Sequence, residues 1–165
     1  MKLSRNELAA GISHKEYEFP VESLTIKGIN ICREKMYCNI TSEVIPNGFK
    51  IDGVLTFFLM NSCDRCLEHF EEKYNPKFEL WLTSDIDLIK ENNFDIIHFS
   101  ESITVIDLVD IFHEFILLEK SINFLCKKEC KGLCQYCGVN LNLDTCDCRN
   151  LSKDSSLNVL QKFVQ

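Results

Sequence analysis

Residues 126 to 148 read Cys-Lys-Lys-Glu-Cys-Lys-Gly-Leu-Cys-Gln-Tyr-Cys-Gly-Val-Asn-Leu-Asn-Leu-Asp-Thr-Cys-Asp-Cys and contain six of the chain's ten cysteines. The successive cysteines are separated by three, three, two, eight and one residues. Such short intervals are typical of metal binding, because a tight turn can aim two sulfurs at one ion. The rest of the chain is interpreted around this predicted metal-binding segment.

Eight cysteines form four close pairs along the chain, and two tetrahedral four-thiolate sites would use all of them. The pairs are Cys63 with Cys66, Cys126 with Cys130, Cys134 with Cys137, and Cys146 with Cys148. The last two pairs are predicted to close one compact ribbon, which leaves the first two pairs to form a second site across distant parts of the sequence. Zinc is the predicted ion, at one or two per chain with two favoured, since it prefers four thiolates in a structural site.

Other chemistries remain open at this point. An iron–sulfur cluster also suits dense cysteines, and His69 lies close enough to Cys66 in sequence to replace a ligand. Cys32 and Cys38 are interpreted as small core or surface thiols. A thiol-redox protein using Cys63 and Cys66 is a weaker alternative, because the segment after Cys66 does not resemble the helix that a redox motif opens.

Composition limits the class of protein. The chain has 165 residues, 45% of them hydrophobic, and a net charge of −7, which argues against nonspecific coating of nucleic acid. No apolar run is long enough for a membrane span, and the first residues show no signal-peptide core. We therefore expect a cytoplasmic protein without membrane association. The sequence shows no phosphate loop, nucleophile elbow or paired catalytic carboxylates, so we expect no enzymatic activity and no small-molecule substrate.

Alternating hydrophobicity predicts a β-rich body. Strands are predicted over Leu24–Ile31, Met36–Val44, Phe49–Met60, Lys77–Thr83 and Asp95–Phe99, with a turn at Pro46–Gly48. Because Phe49–Met60 is apolar on both faces, we expect it in the middle of a sheet or in a barrel wall.

A helix is predicted to start with Asp107 as its N-cap and to continue through Leu118. The predicted fold class is α+β: a mainly antiparallel β-sheet or partly closed barrel, one long helix, and a C-terminal Cys-rich zinc-ribbon-like module. The predicted domains are a β-rich body over 1–125, ending in this amphipathic helix, and a zinc-binding module over 126–165. A short helical tail is predicted at Ser155–Val164.

The cysteine pattern resembles the YceD family, the large ribosomal RNA subunit accumulation proteins. The resemblance rests on Cys63-Asp-Arg-Cys66-Leu67, on the segment from Cys126 through Asn142, on Cys146-Asp-Cys148, on the preceding helix and on the tail Leu157-Asn-Val-Leu160. It implies a factor needed for large-subunit rRNA to accumulate, hence a role in ribosome assembly. Gln135 stands where proline is frequent in the family, and the tail lacks the family's usual Asp-Pro-Arg.

We therefore expect a non-enzymatic ribosome-assembly factor whose zinc-stabilised module contacts pre-ribosomal large-subunit RNA or a ribosomal protein. A protein-binding adaptor for basic ribosomal proteins is the alternative. Cations near the predicted metal loops are candidate contact residues, and they also offset thiolate charge. They are Arg65, Lys127, Lys128, Lys131 and Arg149.

Overall fold

The structure is a computed structural model that describes residues 1–21, 29–85, 95–119 and 121–148. The chain forms two compact units: Met1–Met60 with Glu71–Ser121 (unit 1), and Asn61–Phe70 with Ile122–Gln165 (unit 2). The predicted division into 1–125 and 126–165 stays a prediction. Three further expectations lie outside the described residues: most of the strand at Leu24–Ile31, the tail at Ser155–Val164, and Arg149.

Strands dominate the described elements. In chain order, the strands and helices are β1 (Lys2–Ser4), α1 (Arg5–Ala10), β2 (Ile12–Pro20), β3 (Lys35–Ile45), β4 (Gly48–Ser62), β5 (His69–Tyr74), β6 (Lys77–Thr83), β7 (Asp95–His98), β8 (Val105–Asp107) and α2 (Val109–Glu119). The main sheet has the order β2-β3-β4-β6-β7, with β5 also pairing with β4, and β1 and β8 form a separate pair. The sheet runs between two open ends at β2 and β7, so a mainly β fold is confirmed, but the described strands do not close into a barrel.

Neighbouring strands of the main sheet are antiparallel where β2, β3, β4 and β6 meet, and β6 and β7 are parallel. The predicted turn joins β3 to β4, where Ile45 pairs with Gly48. The Thr83 hydroxyl donates to the carbonyl of Asn47 over 2.8 Å and so ties this turn to β6. The predicted turn at Pro46–Gly48 is confirmed.

β4 lies in the middle of the sheet, as predicted, although only one of its two apolar faces is fully buried. It lies between β3 and β6, and its burial alternates, with Leu55, Phe57 and Leu59 buried and Phe58 only partly covered. The guanidinium carbon of Arg33 lies 3.5 Å from the centre of the Phe58 ring. A cationic side chain can cover an aromatic ring without a second layer of apolar residues. An apolar residue such as Phe58 on the outer face of a strand therefore does not show that this face is buried.

The inner face of the sheet packs against α2 in unit 1. The Phe112 ring centre lies 5.4 Å from that of Phe19 and 5.6 Å from that of Phe78, and Ile116 is fully buried. The helix spans 11 residues, so the predicted long helix is not confirmed. Among the described residues, no helix combines the length and apolar character that a membrane crossing needs.

The helix also begins later than predicted. Asp107 is the last residue of β8, where it pairs with Lys2, and α2 starts at Val109. The Asp107 carboxylate accepts a hydrogen bond from the backbone N–H of Val109 over 3.2 Å. Asp107 therefore bonds to the first turn of the helix, as its side chain indicated, while its backbone belongs to a strand.

Candidate metal centres

The first cysteine group joins two distant parts of the sequence within unit 2. Cys63 and Cys66 come from residues 61–70, and Cys126 and Cys130 follow residue 122. The Sγ atoms of Cys63 and Cys130 lie 3.8 Å apart, and those of Cys66 and Cys126 lie 3.5 Å apart. All four sulfurs lie within 4.8 Å of one another.

The second group contains Cys134, Cys137, Cys146 and Cys148, whose sulfurs also lie within 4.8 Å of one another. Cys134 is buried, Cys137 is exposed, and the other two are partly covered. Both groups have the membership that the spacing predicted. All ten cysteines lie in the described residues, and all are free thiols.

Backbone geometry explains why each C-x-x-C loop holds two sulfurs together. In the second group the N–H of Gly138 donates to the carbonyl of Cys134 over 2.9 Å, and Gly138 has φ +73°. Glycine accepts this left-handed conformation without the steric cost of a side chain. In the first group the N–H of Leu67 donates to the carbonyl of Cys63 over 2.9 Å, and Leu67 adopts φ +61° without being glycine.

The two groups are linked by one side chain. The amide nitrogen of Asn142 donates to the Sγ of Cys130 over 3.3 Å, although Asn142 lies between Cys137 and Cys146 in sequence. Its amide oxygen accepts the backbone N–H of Lys131 over 2.9 Å. The loop of the second group therefore supplies an outer hydrogen bond to a sulfur of the first group.

Electrostatics in both groups favour some thiolates and oppose others. Burial raises the pKa of Cys63, but backbone N–H groups of Cys126, Cys66 and Arg65 lower it to about 6. Burial and the neighbouring thiols raise the pKa of Cys126 to about 12. Without a cation, four adjacent thiols therefore do not all ionise near neutral pH.

The second group behaves in the same way. Backbone N–H groups of Cys137 and Tyr136 lower the pKa of Cys134 to about 6. The neighbouring Cys137 sulfur, followed by burial, raises the pKa of Cys148 to about 12. A bound cation would supply the charge needed to hold all four thiolates in each group.

The donor sets fit a tetrahedral ion. Four thiolates about 2.3 Å from zinc lie about 3.8 Å from each other. The observed Sγ separations of 3.5 and 3.8 Å in the first group are close to that spacing. Four cysteines leave no open position for substrate, so these residues suit a structural ion and could hold one in each group.

The other predicted candidates occupy varied positions. Lys127, Lys128 and Lys131 are exposed in unit 2. Arg65 is exposed as well, and its Nη1 donates to the carbonyl of Cys130 over 3.1 Å. This hydrogen bond joins Arg65 to the backbone of the first group.

The remaining cysteines and the alternative ligand lie outside both groups. Burial raises the pKa of Cys38 in β3 to about 12, as expected of a core thiol. The Cys32 thiol donates to a carboxylate oxygen of Glu71 over 3.3 Å. His69 starts β5 and is exposed.

Sequence reasoning missed Asn142 as part of the site. Asparagine within a metal-binding loop is also typical of an ordinary turn, so its type gave no separate signal. The useful signal is its position between two ligand pairs, where a side-chain amide can donate to sulfur. Such outer hydrogen bonds orient ligands and adjust their basicity.

The fold and the two groups define a β-sheet protein with a cysteine-rich module that could hold two metal ions. Comparison with known families is more specific: residues 51–164 match the family described as Large ribosomal RNA subunit accumulation protein YceD. The chain belongs to the YceD family. The matched residues include all eight grouped cysteines.

Two plant proteins are similar to the chain. One from Arabidopsis thaliana is named Large ribosomal RNA subunit accumulation protein YCED homolog 1, chloroplastic; it is 30% identical over 131 residues, covering 64% of this chain and 41% of the relative. A protein of the same name from Zea mays is 26% identical over 128 residues, covering 61% of this chain and 44% of the relative. The similarity therefore spans less than half of each relative. No solved structure matches the chain.

Proposed function

We propose that this chain is a non-enzymatic ribosome-assembly factor that supports accumulation of large-subunit ribosomal RNA. The observation that carries the proposal is the family match over residues 51–164, which includes both cysteine groups. The curated relatives are named for the same role, although the similarity covers under half of each. The expected cytoplasmic location stays a prediction, since both relatives are named chloroplastic.

Each four-cysteine group holds one zinc ion in this proposal. Zinc suits the role because it has no redox chemistry and stabilises a small module through four thiolates. Elemental analysis of purified protein tests it, with two zinc per chain expected. One zinc would restrict the proposal to a single group, and iron with a brown colour would replace it by a cluster.

The functional surface in this proposal is a basic contact for pre-ribosomal RNA beside the metal centres. Lys127, Lys128 and Lys131 are exposed close to the ligands Cys126 and Cys130. Each zinc–Cys₄ site carries a net charge of about −2, which these lysines partly offset. In this proposal their exposed ammonium groups also contact RNA phosphates.

A matched pair of triple variants tests this contact. Lys127→Ala/Lys128→Ala/Lys131→Ala is compared with Lys2→Ala/Lys73→Ala/Lys77→Ala, which removes the same charge from exposed positions of unit 1. RNA binding and its salt dependence should fall only in the first variant, by roughly one phosphate contact for each effective lysine. Equal RNA binding by both variants would reject the proposed contact between these lysines and RNA.

The cellular role is tested by depletion in the organism that encodes the chain. Loss of the protein should lower large-subunit rRNA relative to small-subunit rRNA, and wild type should restore the ratio. Cys63→Ser should restore it poorly, because it removes a ligand of the first group, whereas Cys32→Ser should restore it fully. An unchanged rRNA ratio after depletion would reject the assembly role.

A protein-binding adaptor is the second candidate, favoured by the net charge of −7, which suits basic ribosomal proteins. Crosslinking in cells separates the two, since recovery of rRNA alone would reject the adaptor. Dithiol–disulfide turnover that depends on Cys63 and Cys66 would instead favour a thiol-redox protein.

A further inference from the structure

A groove of about 840 Å³ lies beside the second cysteine group in unit 2. Its walls include two of the grouped cysteines, Cys134 and Cys146, so an ion in that group would also fix the groove. The volume falls within the roughly 300–1,000 Å³ of sites that take small ligands. The remaining lining residues are Lys131, Leu133, Gln135, Tyr136, Leu141, Asp144 and Thr145.

The lining combines an exposed aromatic ring with unused polar groups. Tyr136 is 61% exposed, and among the described residues its ring stacks on no other aromatic ring and meets no cation. In the part of the chain that the structure describes, neither the Lys131 ammonium nor the Gln135 amide forms an ion pair or side-chain hydrogen bond. The groove therefore presents a π-face, a cation and an amide together.

The backbone around Tyr136 is held in place. The N–H of Cys134 donates to the carbonyl of Val139 over 2.8 Å, and the N–H of Tyr136 donates to the Sγ of Cys134 over 3.5 Å. Leu133 and Asn140 form an antiparallel bridge across the same loop. A ring presented on an ordered loop loses little conformational entropy when a planar ligand stacks on it.

We propose that this groove binds an unpaired base of single-stranded RNA, stacked on Tyr136, with a neighbouring phosphate on Lys131. The inference rests on the proposed RNA role and names the form of RNA that the site takes. A base matches the aromatic face, and the Gln135 amide offers both a donor and an acceptor to its edge. Asp144 disfavours phosphate on its own side, which directs the backbone toward Lys131.

A duplex does not fit this arrangement, because its bases are already stacked and paired. Stacking on an aromatic side chain also tolerates different bases. The groove should therefore recognise unpaired RNA with little sequence preference.

The test measures the affinity of zinc-loaded protein for a 12-nucleotide single-stranded RNA and for the matching duplex by fluorescence anisotropy. Tyr136→Ala should weaken single-strand binding about 10-fold, as expected for loss of one base stack, whereas Tyr136→Phe should bind like wild type. Leu143→Ala is the matched control, since Leu143 is 74% exposed in the same loop and does not line the groove. Metal content and circular dichroism confirm that the variants are folded.

Salt dependence provides an independent measurement. Lys131→Gln should reduce the slope of log affinity against log salt concentration by about 0.7 for a single strand, and Lys73→Gln should leave it unchanged. Equal single-strand binding by Tyr136→Ala and Leu143→Ala would reject the proposal that the groove binds an unpaired base, and so would equal affinity for duplex and single strand. Either result would leave the proposed RNA role in place. If wild type binds neither RNA, both proposals of RNA contact fail.

Discussion

Asn142 donates a hydrogen bond to the sulfur of Cys130 over 3.3 Å, and through it the loop of one cysteine group supports the other. The same side chain accepts the N–H of Lys131 and donates to the amide oxygen of Asn140. Its three bonds join the loop around Asn142 to the segment Cys130–Lys131. The two candidate metal centres are therefore coupled by a side chain that is not a candidate ligand of either.

Asn142→Ala should weaken metal binding at the first group. Loss of an outer hydrogen bond to a metal ligand typically lowers affinity about 10- to 100-fold. Competition with a chromophoric zinc chelator measures the two ions separately if they are released in two phases. Only one phase should change, and Asn123→Ala, at an exposed asparagine of the same unit, should change neither. An equal loss from both phases would contradict the assignment to Cys130.

Metal removal should unfold unit 2 and spare unit 1. The apolar cluster of unit 2 consists largely of cysteines with Phe70 and Leu133, whereas unit 1 has an extensive core of aliphatic and aromatic side chains. Hydrogen exchange with excess EDTA should show lost protection at residues 126–148 and retained protection in β3, β4 and β6. EDTA already saturated with zinc is the control. Simultaneous loss of protection in both units would show that unit 1 also depends on metal.

Leu67→Gly should stabilise the zinc-loaded protein. Leu67 adopts φ +61°, a conformation that costs a non-glycine residue roughly 1–2 kcal/mol, and its side chain is 63% exposed. Glycine gains about 0.4–1 kcal/mol of extra unfolded-state entropy, so a net stabilisation of about 0.5–1 kcal/mol is expected in urea unfolding. Leu67→Ala keeps the strained backbone and serves as control. A gain from alanine equal to that from glycine would attribute the effect to the side chain instead.

Glu7 should make the stability of unit 1 depend on acidic pH. At the start of α1 its carboxylate accepts from the backbone N–H and the hydroxyl of Ser4, over 3.1 and 2.8 Å. These bonds, followed by the one from Lys15, lower the pKa of Glu7 from 4.5 to about 2. Because the folded-state pKa is lowered, the stabilisation is complete above about pH 4.5 and is lost as pH falls toward 2.

Thermal unfolding followed at the sheet signal between pH 2 and 6 measures this contribution. Glu7→Gln keeps an oxygen acceptor for the helix start but removes the charge, so the fall in melting temperature on acidification should be smaller. Solvent screening keeps the difference modest, because the Glu7 side chain is 42% exposed. Glu43→Gln, on an exposed position of β3, is the control. An identical acid response in wild type and Glu7→Gln would reject a role for this carboxylate.

The sequence alone determined the membership of both cysteine groups. Spacings of one to three residues set ligand pairs by local turn geometry, and four pairs with tetrahedral ions leave few ways to combine them. Alternation likewise predicted β3 and β6, since each presents one buried face. The family assignment followed from the same cysteine spacing, which the match over residues 51–164 supports. Local chemistry was sufficient for each close pair of cysteines, and ligand count then combined the two pairs of the first group, which are distant in sequence.

Tertiary structure decided what depends on distant partners. β1 pairs with β8 through Leu3 and Ile106, a pairing that no local pattern in the first residues indicated. On the outer face of β4 the Phe58 ring lies against the Arg33 guanidinium, and Asp107 is held in a strand before the helix begins. The bond from Asn142 to Cys130 also requires the folded loop. These features arise because a side chain's surroundings depend on which segments meet in space, and residue type and spacing do not specify that.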